Sequence, residues 1–250
     1  MRRPIMAGNW KMYKTPAETV AFFEKFRPLV ADVTHAEIVV CPPFVDLPAA
    51  AEACQRTRIQ IGAQNMHWAT EGAFTGEVSA DMLRATGCQW VIVAHSERRE
   101  YFGETEETAL KKISAALQAG LIPIYCVGEQ LRERESEKTQ QVLGRQLQGC
   151  LGKLTLEQFR GVVIAYEPCW AIGTGRVATP EIAADAHAFI RSQIRELFGP
   201  EAAAACRILY GGSVKPDNVG GLMALDQIDG TLVGGASLDP SSFADIVNFK

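Results

Sequence analysis

Short runs of β-branched and apolar residues recur along the chain at Ile5–Asn9, Glu37–Cys41, Ile59–Ala63, Trp90–Ala94, Ile122–Val127, Val162–Tyr166, Arg207–Tyr210 and Gly230–Val233. Several lack the apolar–polar alternation of a half-exposed strand, which is how strands buried on both faces read. The stretches between them carry helical punctuation. Thr15-Pro16-Ala17-Glu18 is a capping box with proline at the first helical position. Thr179-Pro180-Glu181 repeats the start signal, and Ile182, Ala186, Phe189, Ile190, Ile194 and Leu197 then form one stripe that stops at Gly199. A third helix is predicted from about Thr105 to Ala119, ended by Gly120. Eight strands alternating with helices require a parallel sheet with helical crossovers. An open doubly wound sheet would normally show Gly-x-Gly-x-x-Gly after its first strand, but Gly8-Asn9-Trp10-Lys11 stands there instead. With no linker or compositional break, the pattern predicts an α/β chain folded as a single (β/α)8 barrel over residues 1–250. In that fold the active site is built at the C-terminal ends of the strands.

Composition narrows the function without choosing it. The 250 residues are 47% hydrophobic and 22% charged, an ordinary globular balance. Twenty-five basic against 29 acidic residues give a net charge of −4 with no basic run, so neither nucleic acid nor an anionic membrane is an expected partner. No apolar stretch reaches the ~18–20 residues of a bilayer span. Arg2 and Arg3 precede an apolar segment that Lys11 cuts short, too short for a signal-peptide core. These features predict a soluble, cytoplasmic protein. The seven cysteines are widely spaced without a Cys-x-x-Cys pair, and the four histidines are scattered, so no disulfide framework, metal site or cofactor is expected.

The strand ends concentrate polar residues and glycines: Asn9 and Lys11, Gln64-Asn65, His95-Ser96-Glu97, Cys126-Gly128-Glu129, Glu167-Pro168, Gly211-Gly212-Ser213 and Gly234-Gly235. Alone, such a lysine reads as a solvated charge, such a histidine as a structural hydrogen-bonder and such a glutamate as a turn residue. A barrel makes them converge on one mouth. There Glu167, held extended by Pro168, is a candidate general base. His95 is a candidate hydrogen-bond donor to a developing enolate, and Lys11 beside Asn9 supplies positive charge. Glycines after the seventh and eighth strands leave backbone N–H groups open to a phosphate. The set points to proton abstraction α to a carbonyl in a small phosphorylated substrate.

The segments Ala7–Met12, Ala94–Arg99, Ala165–Pro168, Trp170–Gly175, Tyr210–Val214 and Gly234–Leu238 resemble the triosephosphate isomerase family, in order and over essentially the whole chain. The resemblance implies interconversion of dihydroxyacetone phosphate and glyceraldehyde 3-phosphate through an enediolate, in glycolysis and gluconeogenesis. It implies that Glu167 shuttles the proton and that a neutral His95 polarises the carbonyl. Asn9 and Lys11 would contact substrate, with Glu97 near the lysine, and Gly173, Ser213, Gly234 and Gly235 match phosphate-binding positions. Cys126 matches a packing cysteine. Pro168-Cys169-Trp170 and Gly173-Thr174-Gly175-Arg176 would flank a lid that excludes water. Cys169 departs from the aliphatic residue common in the family and puts a thiol in the hinge. The long stretch Gln64–Ser79, with apolar Met66, Trp68 and Phe74, resembles the loop by which family members insert into a second subunit. It implies a homodimer, or an assembly of dimers, with Thr75 reaching the neighbour's Lys11. Two other readings stand beside this one. Another phosphate-binding barrel enzyme is one, although an aldolase would need a lysine within a strand and the runs contain none. A catalytically inactive barrel scaffold is the other.

Overall fold

The computed structural model describes residues 2–172 and 178–249. Eight parallel strands, β1 (Ile5–Asn9), β2 (Glu37–Cys41), β3 (Ile59–Ala63), β4 (Trp90–Val93), β5 (Ile122–Val127), β6 (Val163–Tyr166), β7 (Ile208–Tyr210) and β8 (Gly230–Val233), close into a barrel in sequence order. The unalternating apolar runs have a direct explanation here. Ile5, Ala7, Val39, Cys41, Trp90 and Ile92 face inward and fill the barrel. Their neighbours Met6, Ile38, Val40, Val91 and Val93 face outward beneath the helices, so both faces of each strand are buried.

Closure joins β8 to β1, with Ile5 opposite Gly230. Gly230 has φ 139°, and a side chain there would fall 2.0 Å from the Ile5 carbonyl oxygen, so the seam admits only glycine. The expected helices form at Pro16–Leu29, Glu106–Gln118 and Pro180–Phe198. The Glu18 carboxylate accepts the Thr15 N–H at 2.8 Å, completing the capping box. The long helix stops at Gly199, φ 88°, and buries Ala186, Ile190 and Ile194 from the predicted stripe.

Three strand ends differ from the sequence reading. β6 and β7 each begin one residue later, at Val163 and Ile208. β4 ends at Val93 because Ala94 turns left-handed, φ 57°, and leaves the ladder. That turn directs the next residue, His95, across the mouth of the barrel.

Candidate active site

All the strand-end candidates among the described residues meet at the C-terminal mouth. After β1 the backbone makes an unusual turn, with Lys11 at φ 54°. A non-glycine residue there needs outside support. Asn9 Oδ1 accepts the Lys11 N–H at 3.0 Å, and the Gln64 side-chain amide donates to the carbonyls of Lys11 (2.8 Å) and Cys41 (2.9 Å). The Lys11 ammonium pairs with the Glu97 carboxylate. Lysine and glutamate thus meet as the resemblance implies, while Glu97 also sits in the first turn of the helix Ser96–Phe102.

His95 caps that helix and is buried. Its Nδ1 accepts the Glu97 N–H at 3.2 Å, which assigns the proton of the neutral ring to Nε2. Nε2 lies 2.8 Å from Glu167 Oε1. The Glu167 carboxylate also accepts the Ser96 N–H at 2.9 Å and the Ser96 hydroxyl at 3.1 Å. Room for this buried acid comes from two glycines. A side chain at Gly128 would collide with the Glu167 carbonyl oxygen at 1.7 Å, and one at Gly211 would crowd the Glu167 Cγ at 3.0 Å.

Charge in this cluster is balanced by contact. Burial alone would raise the Glu167 carboxyl. The His95 ring, the Ser96 N–H and the Cys126 thiol outweigh burial and hold it below the ordinary range. Burial likewise pushes the His95 ring down, and the Glu167 carboxylate, helped by Glu97, more than reverses that. The larger part of the upward pull on His95 lasts only while Glu167 faces it, the smaller part from Glu97 remaining. With the carboxylate moved away, burial and the Lys11 charge both favour the neutral ring.

Beside this cluster opens a cavity of about 280 Å³ lined by Asn9, Lys11, His95, Ile172, Ser213, Gly234 and Gly235 among others. The N–H groups of Ser213, Gly234 and Gly235 meet no acceptor among the described residues. The Lys11 side chain passes over Gly234, where a Cβ would stand 3.5 Å from its Cε. Glu167 does not line this cavity, because its carboxylate is turned onto Ser96. Gly173, the remaining candidate, and the lid segment Gly173-Thr174-Gly175-Arg176 lie outside the described residues.

Three contributors went unassigned in the sequence: Ser96, Gln64 and Glu129. Glu129 is fully buried, accepts the Tyr166 hydroxyl at 3.1 Å and the Trp170 indole N–H at 2.9 Å, and its carbonyl takes the Cys169 N–H at 3.1 Å. It therefore anchors the expected hinge. All three stand at strand ends beside residues that were singled out, which is the one signal the sequence held. The Cys169 thiol points at the Glu167 carbonyl oxygen, 3.4 Å away, and burial with the nearby carboxylates pushes its ionisation well above the ordinary thiol range. Cys126 is buried beside Glu167 in the barrel interior, a packing position as expected.

On the far side of Lys11 a second cavity of about 280 Å³ is lined by Met12, Phe44, Gln64, Glu97, Arg98 and Phe102 among others. The segment 64–79 folds on itself near this edge. His67 stacks on Trp68 and Phe74 with ring centroids 4.2 and 4.3 Å apart. Met66 is buried in the barrel's own outer layer, whereas Trp68, Phe74 and Thr75 stay exposed.

Comparison with known proteins agrees with this architecture. The chain matches the sequence model of the family described as Triosephosphate isomerase over residues 4–250. It is 65% identical over 249 residues to a triosephosphate isomerase of Solibacter usitatus, and 57% identical over 250 residues to one of Citrifermentans bemidjiense, each pair covering the whole of both chains. To a triosephosphate isomerase of Moorella thermoacetica it is 54% identical over 249 residues, the whole of this chain and 99% of the other. A barrel closed in sequence order, with glutamate against histidine at its mouth and a full-length match of this kind, places the chain in the triosephosphate isomerase family.

Proposed function

We propose that this chain interconverts dihydroxyacetone phosphate and D-glyceraldehyde 3-phosphate by proton transfer through an enediolate, with Glu167 as base and His95 as electrophile. One observation carries the residue assignment. Glu167 and the Nε2 of His95 lie 2.8 Å apart at the edge of a small cavity that also receives Lys11 and several uncommitted backbone N–H groups.

The chemistry follows from these contacts. The resting carboxylate accepts three hydrogen bonds and is a weak base. Moving onto the substrate sheds those donors, raises its basicity and frees His95 Nε2–H to donate to the carbonyl oxygen. Glu167 then takes a proton from one substrate carbon and returns it to the neighbouring carbon. Lys11 offsets the negative charge that gathers on the oxygens, and Asn9 fixes the Lys11 turn and faces the same space. Ser213, Gly234 and Gly235, joined by Gly173, hold the phosphate through backbone donors. Exclusion of water from the site keeps the enediolate from expelling phosphate.

We also place the reaction in glycolysis and gluconeogenesis in the cytoplasm, carried out by a homodimer or an assembly of dimers. Support for the dimer is the row of exposed apolar residues beside the second cavity, with Met12 94%, Val45 70% and Phe102 66% exposed.

A coupled assay on dihydroxyacetone phosphate tests the reaction. Turnover with formation of glyceraldehyde 3-phosphate is expected from wild type, with a loss of at least about 10²-fold in His95→Gln. Absence of turnover by wild type would favour the scaffold reading. The phosphate assignment is tested separately by binding: a small phosphorylated carboxylate resembling the enediolate is expected to bind far more tightly than its unphosphorylated form, and equal affinity would contradict it.

A further inference from the structure

We propose that Arg99 is a positioning residue for His95, acting through the left-handed Ala94 peptide that aims the ring. The inference rests on His95 being the electrophile and adds to that reading a residue that touches neither cavity.

Ala94 is fully buried and has φ 57°, a conformation that an L-residue with a Cβ adopts only when its surroundings enforce it. Both polar groups of this residue are clamped. Its N–H donates to Glu104 Oε2 at 3.2 Å, and its carbonyl accepts Arg99 Nε at 2.9 Å. Glu104 is itself fixed by Arg98 and Lys112, both within its hydrogen-bond reach. The Arg99 guanidinium does more than close the turn. Its Nη2 donates to the Cys126 carbonyl at 3.2 Å and reaches the Tyr125 hydroxyl at 3.3 Å, while Nη1 pairs with Glu106 at 3.2 Å. Cys126, the last residue but one of β5, sits beside the Glu167 carboxylate. One planar, rigid group therefore ties the turn under His95 to the strand end beside the base. The separation of electrophile and base is set through this fork.

Without the fork, the Ala94 carbonyl loses the donor that holds the residue left-handed, and relaxation of its φ carries His95 off line. Misplacement of about 1 Å can cost ~10²-fold in rate. Arg99→Met is therefore expected to lower kcat by about 10²-fold with KM within about two-fold, since the phosphate side of the cavity is untouched. Arg99→Lys keeps the charge but cannot span both carbonyls, and a loss of about ten-fold is expected. The discriminating variant is Arg99→Met combined with Ala94→Gly. The substitution at 94 adds no contact but removes the left-handed penalty, so it is expected to recover about ten-fold in kcat.

Were Arg99 merely a brace that stiffened the barrel, Arg99→Met would lower the unfolding temperature and its kcat would gain nothing from Ala94→Gly. The inference is overturned if Arg99→Met keeps kcat within two-fold of wild type, or if its loss is unrelieved by Ala94→Gly. Should circular dichroism find Arg99→Met unfolded, the Arg99→Lys pair with and without Ala94→Gly is read by the same criteria. His95→Gln, assayed alongside, separates the two levels. Full turnover by His95→Gln overturns the electrophile assignment and this inference with it. Full turnover by Arg99→Met beside a crippled His95→Gln overturns the inference alone.

Discussion

A carboxylate that rests on three donors and must leave them to act makes the length of the Glu167 side chain matter in both states. Glu167→Asp withdraws the group by one methylene, and kcat is expected to fall about 10²-fold with little change in KM. Glu167→Gln keeps the shape and removes the basicity, so a larger loss is expected from steady-state assays. Near-native turnover by Glu167→Gln would defeat the assignment. With its ionisation suppressed by burial and its Sγ against the Glu167 carbonyl, Cys169 is a slow nucleophile. Inactivation by a thiol reagent at neutral pH is therefore expected to be slow in wild type, and little slower in Cys169→Val. Fast loss in wild type with full protection in Cys169→Val would contradict it. Candidate residues such as Glu167, His95 and Lys11 were legible because each ends a strand and carries its chemistry in its own side chain. Ser96 and Gln64 were not, because their roles consist of partners 71 and 53 positions away, and only the closed barrel supplies those partners. Gly128 was legible only as a glycine at a strand end; the carbonyl that forbids its Cβ belongs to the neighbouring strand end.

At the scale of elements, strand limits could be read closely because two-sided burial leaves an uninterrupted apolar run with polar ends. The misreading at Ala94 has a physical cause, since the alanine itself gives no sign of its left-handed turn and is held there by charged side chains five and ten positions further on. Longer-range ties lock the opposite end of the barrel. Asp229, just before β8, accepts Arg191 Nη2 at 2.6 Å and the Ile208 N–H at 2.9 Å, and pairs with Arg2. Asp229→Ala leaves a nearly buried guanidinium without its counter-charge, and a loss of about 3–5 kcal/mol is expected from urea unfolding at fixed protein concentration. Breaking the exposed Glu157–Arg160 pair with Glu157→Ala is the control and is expected to leave the midpoint unmoved. Helix Pro180–Phe198 adds a pH-dependent contribution. His187 is fully buried between Tyr166 and Tyr210, bonded to the Gln227 carbonyl, and burial pushes its pKa down to about 3. The unfolded chain takes up this proton near 6.5, so between those values the unfolded state binds more protons and stability falls as pH drops. The slope is up to ~1.4 kcal/mol per pH unit, flattening above about pH 7. His187→Gln is expected to make the acid limb shallower in unfolding measured from pH 7 to 4. An unchanged slope would place the titration elsewhere.

The whole molecule leaves an edge that its own barrel does not cover. Met12 and Phe102, which line the second cavity with Lys11 and Glu97, are each more than half exposed, as are Val45 and Tyr101, the chain neighbours of its lining residues Phe44 and Phe102. Leaving these groups in water forfeits the gain that burial would bring, about 25 cal/mol for each Å² of apolar surface. The loop that stands out nearby is packed on itself. Its His67 is buried under Trp68 and Phe74, its His67 N–H bonds to the Val78 carbonyl at 2.8 Å, and its tip presents Phe74 and Thr75 outward. A second copy offering that tip to the cavity would bury both apolar sets by one two-fold operation. It would also press on the Lys11 turn, which among the described residues is supported by Asn9, Gln64 and Glu97. Assembly and activity are then linked. Light scattering at micromolar concentration is expected to give the mass of two chains or a multiple of it. Phe74→Asp, which puts a charge into the proposed contact while leaving every group of the catalytic cluster in place, is expected to yield monomers with kcat reduced at least about ten-fold. Turnover in such monomers is expected to recover as protein concentration rises far enough to restore the larger species. A monomeric wild type with full turnover, or a Phe74→Asp monomer as active as wild type, would show that the Lys11 turn needs no second chain.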